Sequence, residues 1–498
     1  ELHYKFKWIG SRYFQKEPEI LADLPYRVEP DKKIPILLLI KDSNQFPILL
    51  DFVSVDIFQL NNKVLSKKYT FKETLNTHWW NKTLYVEKNN IKGNIDIEVS
   101  FFYIINGKKK KCITHNYPQA HTNKLNTYIS NYKFPRCSKT YYGDLHYHTN
   151  LTEDMVEFGA PLDSTAITAE ALGVDFFCNT DHSYDLDDKI GSWTETDPDL
   201  IKWNKSRDEI KNINNDPAYT SLIIPSEELS LHNYKGKNIH ALILNNNIFL
   251  PGEGDGAEKP FNFKSTYNTN TVFEKIEKNA LCIPAHPFNR VPSLQQFFFK
   301  RGVWENKDIN SNKIPGFQIL NGEYDSNFIN SMNIWINLLL KGVKKYIYAG
   351  NDAHGNFNIY RQIKTPMLTL SEKKAQMFGY YRTGVFSENL NINSIIKSMK
   401  SGSCFITNGP YLKFSTSIKS KQYMSGSVIR NNTAEIHLHA ISSPEFGLIK
   451  KIIIIKGTIG EAHEEVCLVI KPNNKYECKL DYNIFIENKC YYRTRIDV

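Results

Sequence analysis

The sequence lacks any apolar run approaching the roughly 20 residues that a membrane-spanning helix needs. Stretches such as Leu37-Leu38-Leu39-Ile40 and Ile452-Ile453-Ile454-Ile455 are strand-length, so no membrane span is expected. The eight cysteines (Cys112, Cys137, Cys178, Cys282, Cys404, Cys467, Cys478 and Cys490) contain no Cys-x-x-Cys pair and no regular spacing, which excludes a cysteine-based zinc or dithiol motif. Several lie in apolar contexts and read as buried free thiols of a reducing compartment. There is no internal repeat and no long low-complexity segment, which excludes a solenoid and a solvated tail. Strong charge of one sign is also missing: 62 basic and 53 acidic residues leave a net charge of +9. The one dense basic run, Lys108-Lys109-Lys110-Lys111, follows Asn106-Gly107 between apolar segments and reads as a hairpin with its charges in water, so nucleic acid is not an expected partner. The chain begins at Glu1 rather than methionine; a cytoplasmic location is expected, with export left open.

What is present is length enough for two to four domains, at 498 residues, and a composition of 41% hydrophobic, 13% aromatic and 23% charged residues that suits a globular protein. Residues 1–137 carry short β runs separated by turn residues and predict a sandwich-like N-terminal domain, with the polar, proline-containing stretch 117–136 as its linker. Over 138–410 apolar strands alternate with helix candidates at 163–171, 200–213, 272–278, 328–340 and 392–399. Repeated alternation of this kind predicts a parallel sheet, and the number of units suggests closure into a barrel. Residues 411–498 return to alternating strands and predict a second, smaller β-sandwich-like domain.

The chemistry begins at Gly143-Asp144-Leu145-His146-Tyr147-His148-Thr149. Residues two apart on a strand point to one side, so His146 and His148 present two imidazoles to one point in space. Further ligand types follow at later strand ends: Thr180-Asp181-His182, Ser226-Glu227-Glu228, Ala285-His286-Pro287 and Asn351-Asp352-Ala353-His354-Gly355. Half of the fourteen histidines lie between positions 146 and 354. An internal contrast is His437-Leu438-His439, which has the same spacing but no such company and receives no function.

In that order these motifs resemble those of the PHP (polymerase and histidinol phosphatase) metallohydrolases, and Lys400-Ser401-Gly402-Ser403-Cys404-Phe405-Ile406-Thr407-Asn408-Gly409-Pro410 resembles the end of the domain in the CehA/McbA-type, carbaryl-hydrolase branch. The resemblance implies an α/β fold, a distorted (β/α)7 barrel of PHP type over 138–410 flanked by N-terminal and C-terminal β-sandwich-like domains. It implies two or three divalent ions, zinc, manganese or iron, held by His146, His148, Asp154, His182, Glu228, His240, His286, Asp352 and His354. Glu227 competes with Glu228 for the bridging place, and Asp181 is expected to orient an imidazole rather than to ligate. His232 is a candidate proton donor to a leaving group, and Arg290 and Arg361 are candidate anion clamps, against the alternative of surface ion pairs. The implied activity is metal-dependent hydrolysis through a metal-bridged hydroxide, most simply of a small, anionic phosphate ester. A carboxyl or carbamate ester, with Tyr147, Tyr184 and Phe288 as an aromatic approach, is the alternative substrate, and a non-catalytic binding protein the second alternative.

Overall fold

The computed structural model describes residues 16–117, 122–152, 159–190, 192, 195–254, 262–291, 296, 300–322, 324–360, 362–364, 369–371 and 376–498. Strand dominates it, at 43% against 15% helix.

In the N-terminal part, a three-stranded sheet and a six-stranded sheet share one hydrophobic cluster built from alternating residues such as Val53, Val55 and Ile57 on one strand and Ile95, Ile97, Val99 and Phe101 on its neighbour. Asn106 and Gly107 both adopt positive φ, 49° and 74°, the pair of left-handed residues that a tight hairpin turn requires. The lysine run is the strand after that turn, Lys108–Ile113, with its side chains mostly exposed. The expected linker 117–136 is not only a linker: Leu125–Ile129 is a strand that pairs with Gly93–Ile105 and with Arg27–Val28, burying Leu125, Thr127 and Ile129. In the C-terminal part, a four-stranded and a three-stranded sheet likewise enclose one cluster around Ile436, Leu438, Ile452 and Ile454.

Between them lie strands β1 (Thr140–His148), β2 (Phe176–Asn179), β3 (Leu222–His232), β4 (Asn238–Leu244), β5 (Leu281–Pro284), β6 (Gly316–Asn321), β7 (Tyr346–Gly350), β8 (Ala353–His354), β9 (Arg382–Phe386) and β10 (Cys404–Thr407), with helices α1 (Leu162–Leu172), α2 (Ile201–Asn215), α3 (Ser326–Leu340) and α4 (Ile392–Ser401). The hydrogen-bonded order is β5-β4-β3-β2-β1-β9-β10, with β8 also on β1, while β6 and β7 form a separate parallel pair.

This corrects the (β/α)7 expectation: among the described residues no such barrel forms. Only β1-β2-β3 and the β1-β8 contact are parallel in the main sheet, and β3-β4, β4-β5, β1-β9 and β9-β10 are antiparallel. The physical reason is the connection after β3. Parallel neighbours need a crossover of a dozen or more residues, and residues 233–237 provide a turn instead, folded by Asn233 Oδ1, which accepts from Lys235 N at 2.9 Å and Lys237 N at 3.0 Å. The helix expected at 272–278 is reduced to the single 3₁₀ turn Thr271–Glu274. Elsewhere capping agrees with pattern: Gly173 and Gly402 take left-handed φ at the ends of α1 and α4.

The N-terminal sheets are tied to the centre by Asp23. Its carboxylate accepts backbone N–H groups of Phe357, Asn358 and Ile359 at 3.0, 3.3 and 3.4 Å, while Ile359 packs into the N-terminal cluster. Those residues begin three positions after His354. Asp23→Ala is expected to cost about 3 kcal/mol, the penalty of several buried donors left unmatched, read as a lower melting temperature.

Candidate metal centre

β1 is buried along both faces, and alternation places Asp144, His146 and His148 on the same one. Asp144 Oδ1 accepts from His146 N and Asn351 N at 3.2 and 3.1 Å, and Oδ2 from Asn351 Nδ2 and Gly379 N at 2.7 and 2.9 Å. It thereby fixes the Asn351-Asp352 corner beside the His146-x-His148 pair. Gly350 permits this approach: a Cβ there would lie 2.7 Å from His146 Cβ. Asp352 itself sits at φ 55° and His286 at φ 31°, left-handed backbone that surrounding structure must hold in place and that concentrates at functional sites.

Glu228 is the centre of the group. Its Oε2 lies 3.3 Å from His146 Nε2, 3.4 Å from His148 Nε2 and 3.1 Å from His182 Nδ1; its Oε1 lies 2.9 Å from His240 Nδ1 and 3.4 Å from His286 Nε2. Asp352 Oδ1 lies 3.1 Å from His146 Nε2 and 3.3 Å from His148 Nε2, and the His354 ring stacks on His148 with centroids 4.1 Å apart. The donor atoms fall into three overlapping sets, His148-His182-His354, His146-His148-Glu228-Asp352 and Glu228-His240-His286, each with its atoms within 4.8 Å of one another. Each set of imidazole and carboxylate donors could hold a metal ion. Glu228 Oε2 is buried, with imidazole nitrogens as its neighbours.

Around the donors stand groups that aim them. Gln318 Oε1 sits 3.0 Å from His146 Nδ1, leaving Nε2 toward Glu228; Gln318 Nε2 donates to Asn321 Oδ1 at 3.0 Å, and Asn321 Nδ2 donates to Asp352 Oδ2 at 3.2 Å. Asp181 accepts from Thr149 N and Thr152 Oγ1 at 2.6 and 2.9 Å, and Thr152 Oγ1 is 3.4 Å from His148 Nδ1. Its influence on the imidazole passes through Thr152.

Electrostatics divide the two adjacent glutamates. Burial would push Glu228 up, but the His240 and His146 imidazoles outweigh it and hold the carboxyl well below its usual range. Glu227 points the other way along β3, toward Ser183 Oγ at 3.1 Å and Arg207, and burial pushes it up to about 8. Burial would lower His146, but Asp352 and Glu228 raise it to about 9; burial and the neighbouring His182 lower His148 to about 4.

A cavity of about 410 Å³ opens beside the donors, lined by His182, Glu228, His240, His286, Asp352 and His354 on one side and by Asn289, Arg301, Asn321, Asp325, Asn327 and Gln376 on the other, with Ile319 and Phe328 as apolar members. Arg301 was not predicted from sequence. Arg290 is exposed and engaged through its backbone N with Asn327 Oδ1 at 3.2 Å, and its side chain is not among the cavity-lining groups. His232 lies four residues past Glu228 at the far end of β3, about 13 Å along the strand, and does not join the donors. Tyr147, Tyr184 and Phe288 are buried, against Phe378, His182 and Phe317, and form packing rather than an aromatic entrance. Asp154 and Arg361 lie outside the described residues.

No family model matches the chain, and no curated protein sequence matches it. Among solved structures, a protein from Archaeoglobus fulgidus aligns at 13% identity over 23% of this chain and 97% of its own, with a TM-score of 0.16. A cycloisomaltooligosaccharide glucanotransferase from Paenibacillus aligns at 9% identity over 96% of this chain and 69% of its own, with a TM-score of 0.19. Neither likeness assigns a family. Among the described residues no helix is long and apolar enough to cross a membrane.

Proposed function

We propose that the chain is a metal-dependent hydrolase of phosphate esters, holding two or three divalent ions on His146, His148, His182, Glu228, His240, His286, Asp352 and His354. The observation that carries this reading is the convergence of five imidazoles on the two oxygens of one buried carboxylate, Glu228, at the wall of a cavity. The ordered motifs resembling the PHP metallohydrolases support it. Divalent ions bound there would acidify water and screen negative charge on the ester oxygens. The chain's residues supply the rest: Gln318 and Asn321 hold His146 and Asp352 in orientation, burial keeps bulk solvent from Glu228, and Arg301 with Asn289 and Asn327 receive the anionic end of the substrate.

The polar lining favours a phosphate ester over an aromatic carbamate, for which Ile319 and Phe328 offer little apolar surface. The test uses protein reconstituted separately with zinc, manganese and iron, assayed on p-nitrophenyl phosphate, bis(p-nitrophenyl) phosphate, naphthyl acetate and a naphthyl carbamate. Turnover of phosphate esters is expected, and Arg301→Ala should raise KM for them about 10- to 100-fold, the worth of a charge-assisted contact, with less effect on kcat. Activity confined to the neutral esters would overturn the phosphoesterase reading.

A further inference from the structure

His437-Leu438-His439 matches the opening pair in spacing, yet its two histidines have different surroundings. His437 is engaged by Ser417 Oγ at 2.8 Å and Asp481 Oδ1 at 2.6 Å, a closed surface arrangement. His439 instead turns its Nδ1 to the sulfur of Cys137, 3.4 Å away, and its Nε2 to Glu477 Oε1, 2.8 Å away. Glu477 therefore fixes the proton on Nε2, and the Nδ1 lone pair faces the thiol as a base. Lys479 also reaches Glu477 Oε1, at 3.2 Å, and Lys413 is the cross-strand neighbour of His439 on the other side. A second observation marks the same place. The buried Tyr411 hydroxyl lies against Cys137 and Thr140, within hydrogen-bonding reach of both. A hydroxyl beside a thiol with its own base suits an oxygen-centred electrophile small enough to need no substrate cleft.

We propose that Cys137 is a modification site, a nucleophilic thiol activated by His439 and Glu477 that hydroperoxides oxidise to the sulfenic acid. The thiol proton passes to His439 Nδ1. The thiolate attacks one peroxide oxygen, an S–O bond forms as the O–O bond breaks, and sulfur gives up two electrons. The departing hydroxide takes the proton back from His439 and leaves as water, so that thiol and hydrogen peroxide become sulfenic acid and water. Tyr411 donates to the oxygens during transfer. Six of the other thiols differ: burial pushes up those of Cys178, Cys282, Cys404, Cys467, Cys478 and Cys490, which keeps them protonated and slow.

The test treats the full chain with hydrogen peroxide, traps sulfenic acid with dimedone and maps the adduct by peptide mass spectrometry. Cys137 should carry about tenfold more label than Cys404, Cys467, Cys478 or Cys490, because the His439 imidazole lies against its sulfur. His439→Gln and Glu477→Gln should each cut labelling about fivefold or more, and Glu477→Asp should restore much of it. Glu477 is 55% exposed, so its replacement leaves packing intact. Iodoacetamide modification of Cys137 at pH 9 should match wild type in both Gln variants, separating lost activation from lost access. Label spread evenly over the partly exposed cysteines, or unchanged in His439→Gln, overturns the assignment.

Discussion

Glu228→Gln is expected to release at least one bound divalent ion and to lower turnover by about 10³-fold, the scale on which losing one preorganised electrostatic group acts. The two oxygens of Glu228 divide the imidazoles: His146, His148 and His182 gather at Oε2, His240 and His286 at Oε1. An amide keeps the shape but offers one acceptor and turns an NH₂ group toward histidine nitrogens that need a carboxylate or a cation between them. Glu227→Gln supplies the contrast. Its carboxyl, raised to about 8 by burial, is protonated at neutral pH, so the amide reproduces its neutral charge and its hydrogen bond with Ser183. Less than about a threefold change in activity is expected there, within the range of a neutral isosteric exchange. Elemental analysis and kcat on both variants decide the matter. Full metal content in Glu228→Gln together with loss in Glu227→Gln would exchange their roles.

The two glutamates show what a sequence conveys and what it withholds. Both lie in the middle of β3 rather than at the strand end that the sequence predicts, and which one faces the donors depends on the phase of a strand buried on both sides, where hydrophobic alternation disappears. His146 and His148 are legible because period two holds them on one face whatever the neighbouring strands do. His182, His286, Asp352 and His354 are legible for a related reason: each ends an apolar run, and the end of a run is where a chain leaves a sheet. The mixed sheet was not legible, because apolar runs separated by gaps look alike whether the gap folds as a crossover helix or as the turn at 233–237. Arg301 was not legible either. It reaches the cavity through backbone pairing, with Asn238 N donating to Lys300 O at 2.9 Å and Gly302 N to Asn238 O at 2.8 Å, a long-range contact that no local pattern announces. Asp144 carried a signal that went unread, since it shares the face of His146 and His148 two residues earlier in the same strand.

Metal uptake by stripped protein should tighten steeply with pH, by about tenfold per unit from near 6.5 to about 9, and then level off. In the metal-free cluster, Asp352 and Glu228 overcome the effect of burial and raise His146 to about 9, so its imidazolium occupies the place a cation takes. That protonated contact stabilises the metal-free fold fully below the ordinary histidine value of 6.5, and the contribution is lost as pH rises through about 9. Glu228 and Asp352 run the opposite way: despite burial, the nearby imidazoles depress both, so their contribution is present above the ordinary carboxylate range and is lost only as pH falls through their lowered values. His148, lowered to about 4, has no proton to give up in the neutral window. Of these four groups only His146 gives up a proton in the neutral window, so an ion bound on it at pH 7.5 should release about one proton. Isothermal titration calorimetry in buffers of different ionisation enthalpy counts that proton directly. Affinity independent of pH, with no proton released, would mean that His146 does not meet the ion, and the donor set would then have to be rebuilt around His240 and His286.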